Sequence, residues 1–362
     1  VTARRAARAA SGPGTAGAGE TAPHAGRPRR VGKGDVVRFG IVGCGRIAQS
    51  HLQALATLPE ARLVLAVESR RAAGEAVAEE FKCALHEDYT DPAIPAQVDA
   101  VIICTPPVLH HTIARHFLER GVHVLCEKPL TISSADARDL VRLSDERDLL
   151  LMMASKFRYV DDIIKTKAIV ESGILGRIVM YENTFCSKIS MGDRWNAQKN
   201  VSGGGVLIDN GSHSADIARY LLGPIRDVQA QTGLPAQGLD VEDTVRVQFL
   251  THGGVIGTFD LSWSITKETP HYVQVFGSEG TLQVGWSGSK YRQDGSSKWV
   301  PFGTGYDKLK AFARQLSNFI GCLKGREVPV ITAEDSLASV QVVETAYRSA
   351  GRDNWLEVEP AA

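Results

Sequence analysis

The chain has 362 residues, of which 41 are basic and 41 acidic, so its formal net charge is zero. A hydrophobic content of 43% excludes a wholly disordered chain, and no apolar run reaches the roughly 18 residues of a membrane-spanning helix. Balanced charge argues against a nucleic-acid binder, whose affinity needs clustered positive charge, and the length predicts about two domains.

Residues 1–35 predict a disordered leader outside the fold. They are rich in Ala, Gly, Arg, Pro and Thr and almost without large apolar residues, so burial cannot offset the entropy of ordering them. Arg4-Arg5 hints at a twin-arginine export signal, but no apolar stretch follows. The arginines leave a transit peptide or a nucleic-acid arm open; a solvated tail or an over-extended start is the simpler account.

Strands and helices alternate from residue 36. Val36–Val42 is a short apolar run ending at a glycine, Arg46–Leu58 has helical spacing, Leu63–Val67 is a second strand and Arg71–Phe81 a second helix. Val98–Cys104, Val122–Cys126 and Leu149–Met153 predict further strands, with helices over Leu109–Arg120 and Ser134–Glu146 between them. Ser133 and Asp136 fit a capping box for the latter helix. Residues 36–155 therefore predict an α/β domain with a doubly wound parallel sheet covered on both faces.

The pattern then changes. A helix over Asp161–Ser172 precedes strands at Ile178–Phe185, Val228–Thr232, Thr244–Leu250, Val255–Ile265, Tyr272–Phe276 and Thr281–Val284. Helices follow at Leu309–Leu323 and Ala333–Arg348. Residues 156–362 predict an α+β domain with a large, open, mostly antiparallel sheet and helices on one face. The other face of such a sheet must be polar, covered or dimerised.

Three short segments carry chemistry. Gly43-Cys44-Gly45-Arg46-Ile47-Ala48 is G-x-G-x-x-A between a strand and a helix. The first glycine permits the tight turn, the second admits a pyrophosphate to the backbone, and Ala48 allows close packing; the helix N-terminus adds amide hydrogens and a positive dipole end. Glu68 ends the second strand, where a carboxylate bonds ribose hydroxyls and favours NAD. Ser69, Arg70 and Arg71 follow at once, and a guanidinium there suits the extra phosphate of NADP, so both cofactors stay open. Next, Glu127-Lys128-Pro129 follows the fourth predicted strand, and Pro129 biases Lys128 towards an extended conformation. Lys128 reads either as an ammonium stabilising charge on a substrate oxygen or as a surface lysine in a strand–helix loop. Finally, a helix starting at Asp209 and ending at Gly223 puts Asp209 and His213 on one face, where they suit proton transfer or a plain surface hydrogen bond. Cys44, Cys83, Cys104, Cys126, Cys186 and Cys322 show neither C-x-x-C nor zinc spacing, which predicts no metal site and a reducing, cytoplasmic home.

Taken together, FGIVGCGRIAQSH, ICTPPVLHH, GVHVLCEKPLT, SGGGVLIDNGSHSADIARYLLG, VFGSEGTLQV and TAEDSLASVQVVETAYRSA resemble the glucose–fructose oxidoreductase / inositol dehydrogenase (Gfo/Idh/MocA) family over about residues 36–355. The resemblance implies an N-terminal Rossmann domain and a C-terminal domain that binds substrate and forms a homodimer or homotetramer through its open sheet. It implies NAD(P)-dependent oxidation of a secondary alcohol on a sugar or cyclitol, or the reverse reduction, with no nucleic-acid or membrane partner. Lys128, Asp209 and His213 match the family's catalytic residues. Gly43, Gly45, Arg46 and Ile47 fall on the pyrophosphate turn, with Glu68, Ser69 and Arg70 at the ribose. Thr105, Pro106 and His110 fall beside the nicotinamide, with Glu127 next to it. Lys156, Arg158, Lys188, Arg194, Trp195 and Asn196 fall where relatives line the pocket, and Arg158, Trp195 and Asn196 are the expected substrate contacts. Asn210 stands where the family leads one to expect an apolar residue.

Other residues receive structural readings. Trp263, Trp286 and Trp299 are expected in the sheet or an interface, and His51, His111 and His116 on helices without a chemical role. Asp216 and Arg219 are expected to pair. The same architecture also hosts NAD-dependent glycoside hydrolases and non-catalytic cofactor-sensing regulators, so fold alone does not select the dehydrogenase. An intact Lys128, Asp209 and His213 set weighs against the regulator.

Overall fold

The computed structural model describes residues 31–360 except Lys33 and Asp353, so the predicted leader lies outside the described residues as far as residue 30. The first sheet holds β1 (Val37–Val42), β2 (Ala61–Val67), β3 (Ala84–His86), β4 (Ala100–Ile103), β5 (His123–Glu127) and β6 (Leu151–Ala154). All pair in parallel, in the order β3-β2-β1-β4-β5-β6. Val37, Phe39 and Ile41 of β1 and all of β4 are fully buried, as strands covered on both faces must be. The covering helices are α1 (Arg46–Leu55), α2 (Arg71–Phe81), the short α3 (Ile94–Gln97), α4 (His110–Glu119) and α5 (Ser134–Glu146). Strand order reverses between β1 and β4, and the ligand crevice of a doubly wound sheet lies beyond the strand ends at that point.

The second sheet follows α6 (Asp161–Glu171). Its strands are β7 (Ile178–Cys186), β8 (Ile225–Thr232), β9 (Thr244–Thr251), β10 (Ile256–Ser262), β11 (His271–Gly277), β12 (Gly280–Gly285), β13 (Ser289–Gln293), β14 (Val300–Gly303) and β15 (Leu356–Glu357), ordered β14-β13-β12-β11-β7-β10-β9-β8-β15. Only β7 and β10 run parallel; the other pairs are antiparallel. In β9, Val245, Val247 and Phe249 are buried while Arg246 and Gln248 are exposed, the alternation of a sheet with one solvated face. Among the described residues four more α-helices are present: α7 (Lys199–Ser202), α8 (Val206–Leu222), α9 (Lys308–Leu323) and α10 (Ala333–Ala350).

Several expected boundaries move for identifiable reasons. α1 stops at Leu55 rather than Leu58, because Thr57 and Leu58 bond three residues back in a tighter turn before Pro59, which disfavours helical geometry in the residue preceding it. At α5, Ser133 Oγ accepts from the Asp136 amide at 3.1 Å, whereas the reciprocal box forms between Thr332 and Asp335 at α10. The strands β3, β13, β14 and β15 escape the sequence pattern because two to five residues are too few to show a period.

Core membership ignores chain order. The core of the first sheet includes Phe312, Leu316, Phe319 and Ile320 of α9, with the Phe319 ring centre 6.1 Å from that of Phe39 in β1. A helix from the far end of the chain thus seals the first sheet. α10 spans both cores: Leu337 and Val340 belong to the first, Val342 and Val343 to the second. Among the described residues no helix is long and apolar enough to cross a membrane, and all six cysteines are free.

Candidate active site

β1 ends at Val42, and Gly43 follows with φ of +90°, a conformation that favours glycine. A Cβ at Gly43 would stand 2.9 Å from the Cys104 carbonyl, so the turns after β1 and β4 touch. A Cβ at Gly45 would meet nothing within 4 Å: that face is open to the crevice. α1 then starts without a side-chain cap, leaving its first amides for an anion. At the end of β2, the buried Glu68 accepts from the Cys44 amide at 2.8 Å and from the Arg70 amide at 3.0 Å. The Arg70 guanidinium reaches both Glu68 oxygens at 3.1 Å. Burial would raise the Glu68 carboxyl, but the Arg70 and Cys44 bonds outweigh it and hold the group below its usual range. Burial, with Glu68 adjacent, pushes the Cys44 thiol up to about 12, so it stays protonated.

β5 delivers Glu127 and Lys128 to the same crevice. The Lys128–Pro129 bond is cis. Lys128 Nζ donates to the Asp209 carbonyl at 3.0 Å and to Asp209 Oδ1. The buried Glu127 carboxylate is 2.8 Å from His51 Nε2; burial opposes its ionisation, yet His51 and the nearby lysines keep its carboxyl below the usual range. His51, expected to be idle, therefore orients a cavity carboxylate. Its signal was in the sequence: it lies on the buried face of α1 with Ala48, Leu52 and Leu55, where an imidazole needs a partner.

α8 starts at Val206, not at Asp209. Gly203-Gly204-Gly205 brings no capping side chain, so Glu242, between β8 and β9, caps the helix from outside. Its carboxylate accepts from the Gly205 and Leu207 amides at 3.0 and 3.1 Å, and its carbonyl accepts from Val206 N at 2.9 Å. A Cβ on Gly205 would fall 2.0 Å from that carbonyl oxygen. α8 so placed carries Asp209 to Lys128 and sets His213 one turn further along. Burial, then Lys156 and Lys128, hold the His213 imidazole far below its ordinary 6.5; it is neutral at physiological pH. Lys156 Nζ stands 3.3 Å from His213 Nε2, and Nδ1 is buried without a partner. An ammonium only donates, so Nε2 carries the lone pair.

These groups share a cavity of about 1200 Å³ between the two sheets. Gly43, Gly45, Arg46 and Ile47 line it after β1, and Glu68, Ser69 and Arg70 line it after β2. Thr105 and Pro106 line it after β4 and Glu127 after β5, facing Lys128, Asp209 and His213. Trp195 and Asn196 reach it as well. Asn210 lines it too and turns its amide towards the Phe185 carbonyl at 3.5 Å.

Three predicted residues do not line the cavity: Lys188, between the lining residues Ser187 and Ile189, His110 and Arg158. His110 is buried, its ring nitrogens 2.8 and 2.9 Å from the carbonyls of Pro129 and Thr105, so it ties the loops after β4 and β5 together. Arg158 is 3% exposed and binds Asp216 at 2.7 Å and Asp335 at 2.9 Å. The expected Asp216–Arg219 pair gives way to this arrangement: Asp216 is engaged by Arg158 and by Ser155 at 2.6 Å, and Arg219 turns to Asp335 at 3.8 Å. Trp286, expected in the sheet or an interface, lines the cavity and packs 4.5 Å from Tyr272. Phe157, in the single 3-10 turn between β6 and α6, and Tyr306, in the four-residue link between β14 and α9, also line the cavity; such short links carry no periodicity from which the sequence alone could place them.

A doubly wound sheet with this glycine turn, facing a lysine–aspartate–histidine set across one cavity, defines a dinucleotide-binding oxidoreductase. Residues 37–155 match the oxidoreductase family with an NAD-binding Rossmann fold, and residues 163–283 match the GFO/IDH/MocA C-terminal domain; the chain belongs to this family. Inositol 2-dehydrogenase of Rhizobium meliloti (strain 1021) is 26% identical over 343 residues, covering 89% of this chain and 99% of that protein. The structure of GenD2 from gentamicin A biosynthesis in complex with NAD has a TM-score of 0.80 at 25% identity, covering 92% of this chain and 99% of the other. Levoglucosan dehydrogenase in complex with NADH has the same fold, with a TM-score of 0.82 at 20% identity over 90% of this chain and 99% of that one.

Proposed function

We propose that this chain is an NAD(H)-dependent dehydrogenase or ketoreductase acting on a secondary alcohol or ketone of a sugar or cyclitol ring. The observation that carries this reading is the convergence of Lys128, Asp209 and His213 on the cavity that also holds the Gly43–Ile47 turn. Relatives such as the inositol 2-dehydrogenase, matched along nearly their whole length, support the polyol substrate. The residues fit the cofactor: Gly45 leaves an open face, α1 leaves free amides, and Thr105 Oγ1 is buried without a partner. Glu68 is buried and anchored while Arg70 is exposed, which favours a ribose hydroxyl over a ribose phosphate and hence NAD.

When bound, the nicotinamide takes up or supplies the hydride. The ring hydroxyl sits between Lys128 and His213. Neutral His213 accepts its proton at Nε2, and the Lys128 ammonium, held by Asp209, stabilises the negative charge that grows on the oxygen. In the reverse direction His213 returns the proton. Titration with NADH and NADPH by nicotinamide fluorescence, then an absorbance screen of inositols and hexoses, tests the reading. Binding of neither nucleotide would overturn it; bound nucleotide with no net reduction would favour the glycoside hydrolase.

We assign residues 36–155 to cofactor binding and 156–362 to substrate binding and oligomerisation. The open face of the second sheet carries a ladder of Glu182, Gln274 and Gln283, a polar surface suited to a second copy in a homodimer or homotetramer; sedimentation would report the state. Free cysteines agree with a reducing, cytoplasmic compartment.

A further inference from the structure

A second ammonium stands at the reaction centre without a counter-ion. Lys156, just after β6, places Nζ 3.3 Å from His213 Nε2 and 5.1 Å from the Phe157 ring centre. It is also 5.8 Å from the Phe312 ring centre, and Lys308, at the start of α9, lies 6.0 Å from that same ring. Other lysines nearby are neutralised: Lys128 by Asp209, Lys267 by Asp260 and Lys310 by Asp161. Among the described residues neither the half-buried Lys156 nor the exposed Lys308 has such an ion pair, and only Lys156 lacks part of the water that would otherwise solvate it. The carboxylates closest to Lys156 in effect are engaged elsewhere, Glu127 by His51 and Asp209 by Lys128. Burial pulls Lys156 down to about 8, so the group is still largely cationic at neutral pH.

A cation partly withdrawn from water without a partner is costly, and this half-buried one faces a cavity that admits small molecules. The pyrophosphate of a dinucleotide does not answer it. That group belongs to the turn after β1, three strands from β6 in the sheet, roughly 14 Å away at the usual strand spacing. We propose that the ring substrate carries a carboxylate, seated by Lys156 beside His213 with Lys308 adding to the positive field. This inference rests on the polyol oxidoreductase reading and narrows it to acidic sugars or cyclitols. It also resolves a competition at His213. Lys156 occupies the same Nε2 lone pair that must accept the hydroxyl proton. A carboxylate that draws the ammonium to itself frees that lone pair and removes one of the charges opposing its protonation.

The test is calorimetry on the NADH-loaded protein with matched pairs: D-glucuronate against D-glucose, and D-galacturonate against D-galactose. At least one acid should bind about 10- to 100-fold more tightly than its neutral partner, as a buried charge-assisted contact implies. Lys156→Gln should reduce that preference to within about threefold, and Lys156→Arg, which keeps the charge, should retain most of it. NADH fluorescence on both variants separates a lost seat from a lost fold. Acids that bind no better than neutral sugars, or a preference that survives in Lys156→Gln, would overturn the inference and leave the oxidoreductase reading standing. Wild-type protein that fails to bind NADH would instead remove that reading.

Discussion

The two ends of the cleft are built in different ways. At the dinucleotide end the working parts are backbone atoms and residues within a few positions of a strand end: Gly43, Gly45, the first amides of α1, and Glu68. At the substrate end, where the two sheets meet, they are side chains from separate segments: Lys128 after β5, Lys156 after β6, His213 within α8 and Lys308 on α9. The first end depends on backbone shape and the second on tertiary contacts, so substitutions should separate their effects.

The largest separation is expected at Lys128. Lys128→Met should lower kcat/KM about 10³-fold or more while NADH affinity stays within about threefold, read by absorbance and fluorescence on one preparation. Preserved turnover would remove Lys128 from the chemistry. Arg158 should behave as a stability residue. Arg158→Met leaves the fully buried Asp216 without its charge partner and should cost about 3 kcal/mol in urea unfolding, with little change in substrate KM for the surviving folded enzyme. A raised KM at unchanged stability would return Arg158 to the substrate.

A smaller effect is expected at Gly45, where a Cβ meets open space. Gly45→Val should fold normally and weaken NADH binding about 30-fold, because the new side chain occupies the face meant for the phosphates. Unchanged binding would place the cofactor elsewhere. Smallest is a pH effect from His213. Its folded-state pKa lies well below the ordinary 6.5, so below that pH the unfolded chain binds a proton that the folded chain does not. Stability should therefore fall as pH drops from 6.5 towards 5.5, by up to about 1.4 kcal/mol. Urea midpoints across that window should show a shallower slope for His213→Gln; an equal slope would assign the loss to other groups.

Legibility followed the same division. The turn from Gly43 to Ala48 and the acidic residue at Glu68 are legible in the sequence because each directly follows a strand, and β1 and β2 are predominantly apolar runs of six and seven residues. Lys128, Asp209 and His213 stand out through the motifs that surround them, and the fold brings all three to one cavity. Arg158 departs from its expected substrate contact because a guanidinium near a pocket motif looks the same in sequence whether it faces a ligand or a buried Asp216. The start of α8 was misjudged because its cap, Glu242, lies across the fold from the glycine run it serves.

The alternation of elements, the glycine turn between β1 and α1 and the family are legible along the chain, since these depend on local periodicity and on residue types within one strand–turn–helix unit. That α9 seals the first sheet, that His51 orients Glu127, and that Lys156 meets His213 with no ion pair among the described residues emerges only once the chain is folded. Those are contacts between residues distant along the chain. Their energies depend on burial and on the nearest opposite charge, which spacing along one strand or helix cannot report.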